Sequence, residues 1–320
     1  MAAPPSPPTR LVADVGGTNS RIALFDPQTN QLRALHTYLN RDYQQFEEVI
    51  AAWLRTLTEP PPAHGCLAVA APIAGDRVSM FNIDWSFSCQ ELAEQFGFSE
   101  LRCINDFKGN AYALPHLTNQ DLITIHPGRN ASAGKLATIG PGTGLGGATL
   151  ALFEGVPMAC ASEPGHMGLA AATALELELF RYLQPQYGEI YAELLLSGPG
   201  LQRLYQSLAD VQGCEKQPLA PEEISSRAMA GSCSLCELTL NTFCALLGSA
   251  SGDYVLANGA YGGLYLAGGI VPDIVKFLQA SHFVQRFQEK GHMRQHLVGV
   301  PLYAITCKTT GLLGAAHAPL

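Results

Sequence analysis

Charge is scarce in this chain. Only 14% of its 320 residues are Asp, Glu, Lys or Arg, and the cations are the minority, 19 against 27, for a net charge of −8. A sequence-independent grip on nucleic acid needs a basic surface, so that class of function is disfavoured. Long hydrophobic runs are also missing: no stretch reaches the roughly 18 uninterrupted apolar residues of a membrane span. The opening "MAAPPSPPTR" lacks the apolar core of a secretory signal and reads as a loose tail over residues 1–9. Metal-ligand clusters are thin. Cys233 and Cys236 form a solitary CxxC with no second pair or histidine beside it, within "CSLCELTLNTFCALLG", which reads as a buried helix. His292 and His296 have i,i+4 spacing but no third ligand, and read as surface. No structural metal is expected. The nine cysteines, an odd number without an export signal, fit free thiols in a reducing compartment.

Apolar material, by contrast, is ample. Hydrophobic residues make up 47% of a chain long enough for two domains. "RLVADVGGTNSRIALFD" runs strand, glycine turn, strand, and "LATIGPGTGLGGATLALFE" repeats the pattern some 130 residues later. Two such units suggest an internally duplicated architecture. Elsewhere strand-like and helix-like patterns alternate: "HGCLAVAAPIAG" and "LRCIN" as strands, then Phe107, Ala111 and Leu114 at helical spacing. Leu201, Leu204, Tyr205 and Leu208 mark another helix. "GLYLAGG" is a strand followed by Pro272 at a first-turn position, and "PLYAIT" with "GLLGAAHA" closes the chain as strand and helix. The class is α/β with an antiparallel hairpin opening each half.

Gly142, Gly144 and Gly147 match G-x-G-x-x-G, with Glu163 about 20 residues on, but a dinucleotide turn must open a helix and here a strand follows. Neither glycine turn carries the Lys-Ser/Thr of a P-loop. Each does combine glycines with a threonine. Glycine lets backbone N–H groups converge on an anion, and two tips, one per half, suit a chain of phosphates. Asp14, ending the first strand, then lies where a carboxylate can order Mg²⁺ and its waters; its plainer role is to stabilise the turn. Asp106 follows Asn105 at a strand–helix junction, where an acidic residue commonly caps the helix.

"DVGGTNSRIALFD", "INDFKGNAYAL", "GPGTGLGGA", "EPGHMGLA", "YGEIYAELLLSGPGLQRLYQ" and "LYLAGGIVPDIVKFLQASHFVQRFQEKG" occur here in an order and spacing that resembles the bacterial ATP-dependent glucokinase family, from about Leu11 to the C-terminus. The resemblance implies the duplicated actin-like (ribonuclease-H-like) two-domain fold with an interdomain cleft. It implies a small domain of residues 10–111 plus 303–320 and a large one of 112–302. It also implies a cytoplasmic homodimer that uses ATP with Mg²⁺. By the same resemblance Asp106 is the catalytic base, and Asn105, Glu163, His166 and Glu193 hold the sugar. Gly16, Gly17, Thr18 and Asn19 form the first phosphate loop, Gly142, Thr143 and Gly144 the second, and Gly268 and Gly269 lie against the adenosine. The chain departs from the family at "SEPGH", where Pro164 stands in a loop that is usually richer in glycine, and Pro141 similarly stiffens the second phosphate loop. The stretch directly after His166, "MGLAAATALELELF", holds no cysteine, unlike the cysteine-rich zinc motif that often follows this histidine in the related sugar kinases and repressors on this fold. The expected reaction is phosphorylation of the glucose 6-hydroxyl. Alternatives are a kinase for fructose, mannose or an N-acetylhexosamine, a polyphosphate donor, a silent sugar or nucleotide binder, and a DNA-binding regulator. About ten residues before the first strand are too few for the last.

Overall fold

The computed structural model describes residues 8–80, 83–129 and 134–320. Most of the expected tail, residues 1–7, lies outside them. The chain forms two compact units, one holding the residues up to 117 with 157–161 and 308–320, the other 118–156 and 162–307.

In the first unit β1 (Arg10–Val15), β2 (Asn19–Asp26) and β3 (Gln31–Leu39) form an antiparallel meander. Helix α1 (Phe46–Leu54) follows. Strand β4 (His64–Val69) then pairs parallel to β1. A small ribbon of β5 (Arg77–Ser79) and β6 (Ser86–Ser88) leads to α2 (Cys89–Phe96), capped by the Ser88 hydroxyl. Strand β7 (Glu100–Asn105), parallel to β4, ends at α3 (Asp106–Ala113), and the sheet order is β3-β2-β1-β4-β7. One face of this sheet is covered by Phe46, Ile50, Trp53, Trp85 and Phe87, which build a core of their own. Cys89 and Cys103 are joined by a disulfide between α2 and β7, a correction to the expectation of nine free thiols. The odd count concealed a pair that spacing alone could not single out.

The second unit begins with β8 (Leu122–His126) and the second hairpin, β9 (Leu136–Pro141) and β10 (Leu145–Phe153), which are antiparallel. A tight turn with left-handed Glu154 and Gly155 leads to β11 (Val156–Ser162), whose residues 157–161 group with the first unit. Helices α4 (Ala174–Tyr187), α5 (Ala192–Leu195), α6 (Gly198–Gln212), α7 (Pro221–Met229) and α8 (Ser234–Asn258) follow. Strand β12 (Gly263–Leu266) pairs parallel to β9. After α9 (Val271–Ala280), α10 (Phe283–Gln288) and α11 (Arg294–Leu297), β13 (Leu302–Ile305) pairs parallel to β12. The order within this unit is β10-β9-β12-β13-β8. The last helix, α12 (Thr310–His317), belongs to the first unit.

From β10 to β13 the second order repeats β2-β1-β4-β7 of the first, which is the duplication the two glycine turns suggested. Grouped by contacts, the first unit resumes at 308 where 303 was expected, since β13 is hydrogen-bonded into the second sheet, and it runs to 117 where 111 was expected, taking in the rest of α3 and the 3-10 turn Leu114–His116 that follows it. Leu201, Leu204, Tyr205 and Leu208 are buried as the helical spacing predicts. Helix α8 is mostly buried, and with α7, at 103° to it, forms an apolar bent pair; among the described residues no single helix is long and apolar enough to cross a membrane. A bidentate Arg286–Glu176 pair, 7% and 3% exposed and shared with Ser249, ties α10 to α4. His292 and His296 are exposed.

Candidate active site

The first glycine turn is held from behind. Asn40, 1% exposed, donates through Nδ2 to the Gly16 carbonyl at 2.7 Å and through its backbone to the Thr18 carbonyl at 2.9 Å. Its Oδ1 accepts from Ser20 Oγ at 2.8 Å. These bonds consume the inward-facing groups of the turn, while the amides of Gly17 and Thr18 donate to no group among the described residues. Asn40 went unnoticed in the sequence; its one signal was a polar residue ending a strand, which is too common to select. Asp14 faces Arg21 across the hairpin, Oδ2 to Nη1 at 3.1 Å. Desolvation raises the Asp14 pKa, against the lowering effect of Arg21. Its carboxylate also lies against the start of α12, where a methyl on Gly311 would come within 2.7 Å of Oδ1.

Helix α3 starts at Asp106, and its cap is Asn105, not Asp106. Asn105 Oδ1 accepts from the Lys108 amide at 3.1 Å. Asn105 Nδ2 donates to Asp106 Oδ1 at 2.9 Å and to the Ala71 carbonyl at 3.3 Å, and the Phe107 amide donates to Asp106 Oδ1 at 2.9 Å. The Asp106 carboxylate is therefore held by its neighbours at the first residue of the helix. Gly109 of α3 meets Gly311 and Gly314 of α12, with no room for a Cβ at Gly314.

The second glycine turn is clasped by an acid. Glu193, on α5, accepts from the Leu145 amide at 2.8 Å, and a methyl on Gly144 would come within 2.5 Å of its Oε2. The Gly198 amide donates to the Gly142 carbonyl at 2.8 Å, joining the turn to the start of α6, which Ser197 caps. As in the first turn, the outermost amides, those of Thr143 and Gly144, donate to no described group. Gly165 closes on the same acid, its Cβ position 3.1 Å from Glu193 Oε2. Glu163 and His166 bracket a short 3-10 turn and are exposed. The His166 ring stacks on Tyr191 at 5.6 Å between centroids and 4° between planes. Pro164 packs onto Gly147, 2.7 Å from where a Cβ would stand, and Ser162 Oγ hydrogen-bonds the Tyr254 hydroxyl at 2.7 Å. Gly268 takes φ +85° after β12 and abuts the Pro141 carbonyl, while Gly269 faces open space.

The first unit thus brings together Asn105 with Asp106, and Asp14 with the first turn. The second brings Glu193 to Gly142–Gly144 and to the Glu163–His166 turn, with Gly268 at the base of the same hairpin. Paired glycine hairpins on a repeated sheet define the duplicated, actin-like class of nucleotide-using folds. A sequence model of the glucokinase family matches residues 11–319. The chain is 40% identical over 309 residues to the glucokinase of Chromobacterium violaceum, covering 96% of this chain and 88% of that one. It is 38% identical to that of Saccharophagus degradans, covering 96% of both. The crystal structure of a glucokinase from an Antarctic psychrotroph superposes with a TM-score of 0.89 at 39% identity, over 97% of this chain and 98% of the other. The chain belongs to the glucokinase family.

Proposed function

We propose that this chain transfers the γ-phosphoryl group of Mg-ATP to the 6-hydroxyl of glucose, giving glucose 6-phosphate and ADP, with Asp106 as the base. The observation that carries this reading is the pair of glycine hairpins whose tip amides donate to no group among the described residues, in a member of the glucokinase family. Phosphoryl transfer passes through a loose transition state, so its catalysis consists largely of positioning and charge neutralisation. The amides of Gly17 and Thr18 in the first unit, and those of Thr143 and Gly144 in the second, would offer that to phosphate oxygens. Mg²⁺ arrives with ATP as part of the substrate. Asp14, whose Oδ2 is already engaged by Arg21, would act on it through ordered water rather than as a sole ligand.

Asp106 takes the hydroxyl proton late, which requires an ionised carboxylate rather than a raised pKa. Asn105 holds that carboxylate in place and offers its remaining capacity to the sugar. In the second unit Glu163, His166 and Glu193 supply the mixture of acceptors and donors that sugar hydroxyls need. Gly269, which faces open space, and Gly268 beside it would lie against the adenosine. The first unit then serves as the domain of the base and the first phosphate loop, the second as that of the sugar and nucleoside contacts. Family membership supports a cytoplasmic homodimer.

The experiment is Asp106→Ala. Turnover should fall by about 10³-fold, within the usual range for loss of a general base. Circular dichroism should be unchanged, because the Asn105 cap survives, and calorimetry should still detect glucose binding. Turnover within a few-fold of the parent would rule out the base. A second reading, a kinase for another hexose, draws on Pro164: it locks the Glu163–His166 turn onto Gly147, so the sugar contacts sit on a stiffer loop.

A further inference from the structure

The solitary CxxC is not wholly inside its helix. Cys233 is the N-cap residue of α8 and its Sγ accepts from the Cys236 backbone amide at 3.4 Å; Cys236 is the third residue of the helix. Cys233 is half-buried and reachable from solvent, whereas Cys236 is buried. In the α7–α8 turn Gly231 takes φ +62° and Ser232 Oγ donates to the Arg227 carbonyl, while the Arg227 guanidinium, held by Gln217 and near Glu223, adds a small lowering effect on the Cys233 pKa.

We propose that Cys233 and Cys236 form a reactive dithiol that exchanges with small-molecule disulfides, Cys233 as the attacking sulfur and Cys236 as the resolving one. The geometry divides the labour. An attacking thiol must be accessible and present as thiolate, while a resolving thiol must be adjacent and shielded. Burial alone raises the Cys233 pKa. The Cys236 amide and thiol, the Leu235 amide and Arg227 outweigh it, and the net direction is down. Burial, followed by the bond and charge of Cys233, pushes Cys236 up to about 12. Consuming the Cys233 thiolate removes two of those three causes, so the first step activates the second.

In that first step the Cys233 thiolate attacks one sulfur of a disulfide RSSR. A protein–SR bond forms, the S–S bond of the reagent breaks, and RS⁻ leaves. Cys236 then attacks Cys233 Sγ, forming the internal disulfide and expelling the second RS⁻. The dithiol is oxidised by two electrons, RSSR is reduced to two RSH, and the two thiol protons end on the released thiols.

The full chain, reduced and freed of reductant, would be incubated with glutathione disulfide, quenched in acid, alkylated and mapped by peptide mass. The parent should yield a Cys233–Cys236 peptide lighter by two hydrogens with no lasting adduct. Cys236→Ser should instead accumulate the glutathione adduct on Cys233. Cys233→Ser, in which serine remains a good helix cap, should give neither product. Iodoacetamide should label Cys233 about threefold or more faster than Cys214, an exposed free thiol, because the thiolate is the reacting form. The proposal is overturned if Cys233 stays unmodified while Cys214 takes the adduct, or if Cys236→Ser leaves Cys233 free. These readouts are independent of sugar phosphorylation.

Discussion

The same place in the two hairpins is filled in opposite ways. In the last cross-strand pair but one before the turn, β1 and β2 oppose Asp14 to Arg21, an ion pair at 3.1 Å. The matching pair of β9 and β10 is Gly140 opposite Gly146. Gly140 lies under the chain that leaves β12, its Cβ position 2.5 Å from the Ala267 carbonyl carbon. In the first unit the element that closes on the hairpin is α12, through Gly311, and it leaves room for a carboxylate. In the second it is the Ala267–Gly269 segment, and it leaves room for nothing. A duplicated frame has thus kept its strand order while one copy spends the position on charge and the other on close backbone approach. The acid of the second hairpin comes instead from outside the sheet, as Glu193.

The largest effect that would break this comparison is at Gly140. Gly140→Val forces a branched side chain into backbone that cannot retreat as a side chain can, and should destabilise the protein by about 3 kcal/mol or more. Urea denaturation would read it. A loss below 1 kcal/mol, roughly the scale of an ordinary surface change, would mean that the close approach is not a constraint. Next comes Glu193→Ala, which leaves the Leu145 amide without its acceptor and should cost about 1–3 kcal/mol while raising KM for both substrates. Glu193→Gln keeps an acceptor oxygen, so it should restore most of the stability but not all of the activity. Equal stability of the alanine and parent proteins would remove Glu193 as the clasp of the second turn.

The smallest effect is the one that depends on pH. Arg21→Met removes the partner of a partly buried carboxylate and should cost about 1 kcal/mol at neutral pH. The Asp14 pKa is raised in the folded state above its unfolded value. The folded protein therefore takes up the proton first as pH falls, and the unpaired carboxylate becomes cheaper to bury. The stability gap between parent and variant should shrink as pH falls from 7 toward the ordinary carboxylate range, and be level at pH values where Asp14 is ionised in both proteins. A gap that grows on acidification would contradict the assignment of Asp14 as a desolvated, Arg21-paired acid.

Much of this was legible in the residues. The two strand–glycine–strand units announced the duplication, and the helical spacing of Leu201, Leu204, Tyr205 and Leu208 placed a core helix correctly. Local motif order was enough for the family. What the sequence withheld were partnerships between distant positions. Nothing local ties Asn40 to Gly16, Glu193 to Leu145, or Cys89 to Cys103, because each bond is created by tertiary packing. The cap of α3 was misassigned by one residue: Asn105 and Asp106 both suit a helix start, and only the backbone dihedrals decide which is outside it. The domain boundary slipped for a similar reason, since "PLYAIT" carries no mark of the sheet it joins.

The most direct measurement is ADP formation from Mg-ATP by the full chain with glucose, fructose, mannose and N-acetylglucosamine, each against a blank without sugar. The account predicts strong turnover with glucose, little with the others, and its loss in Asp106→Ala. Preference for another sugar would move the specificity to the Ser162–His166 turn. No sugar-dependent ADP with any of the four would contradict the proposed reaction itself.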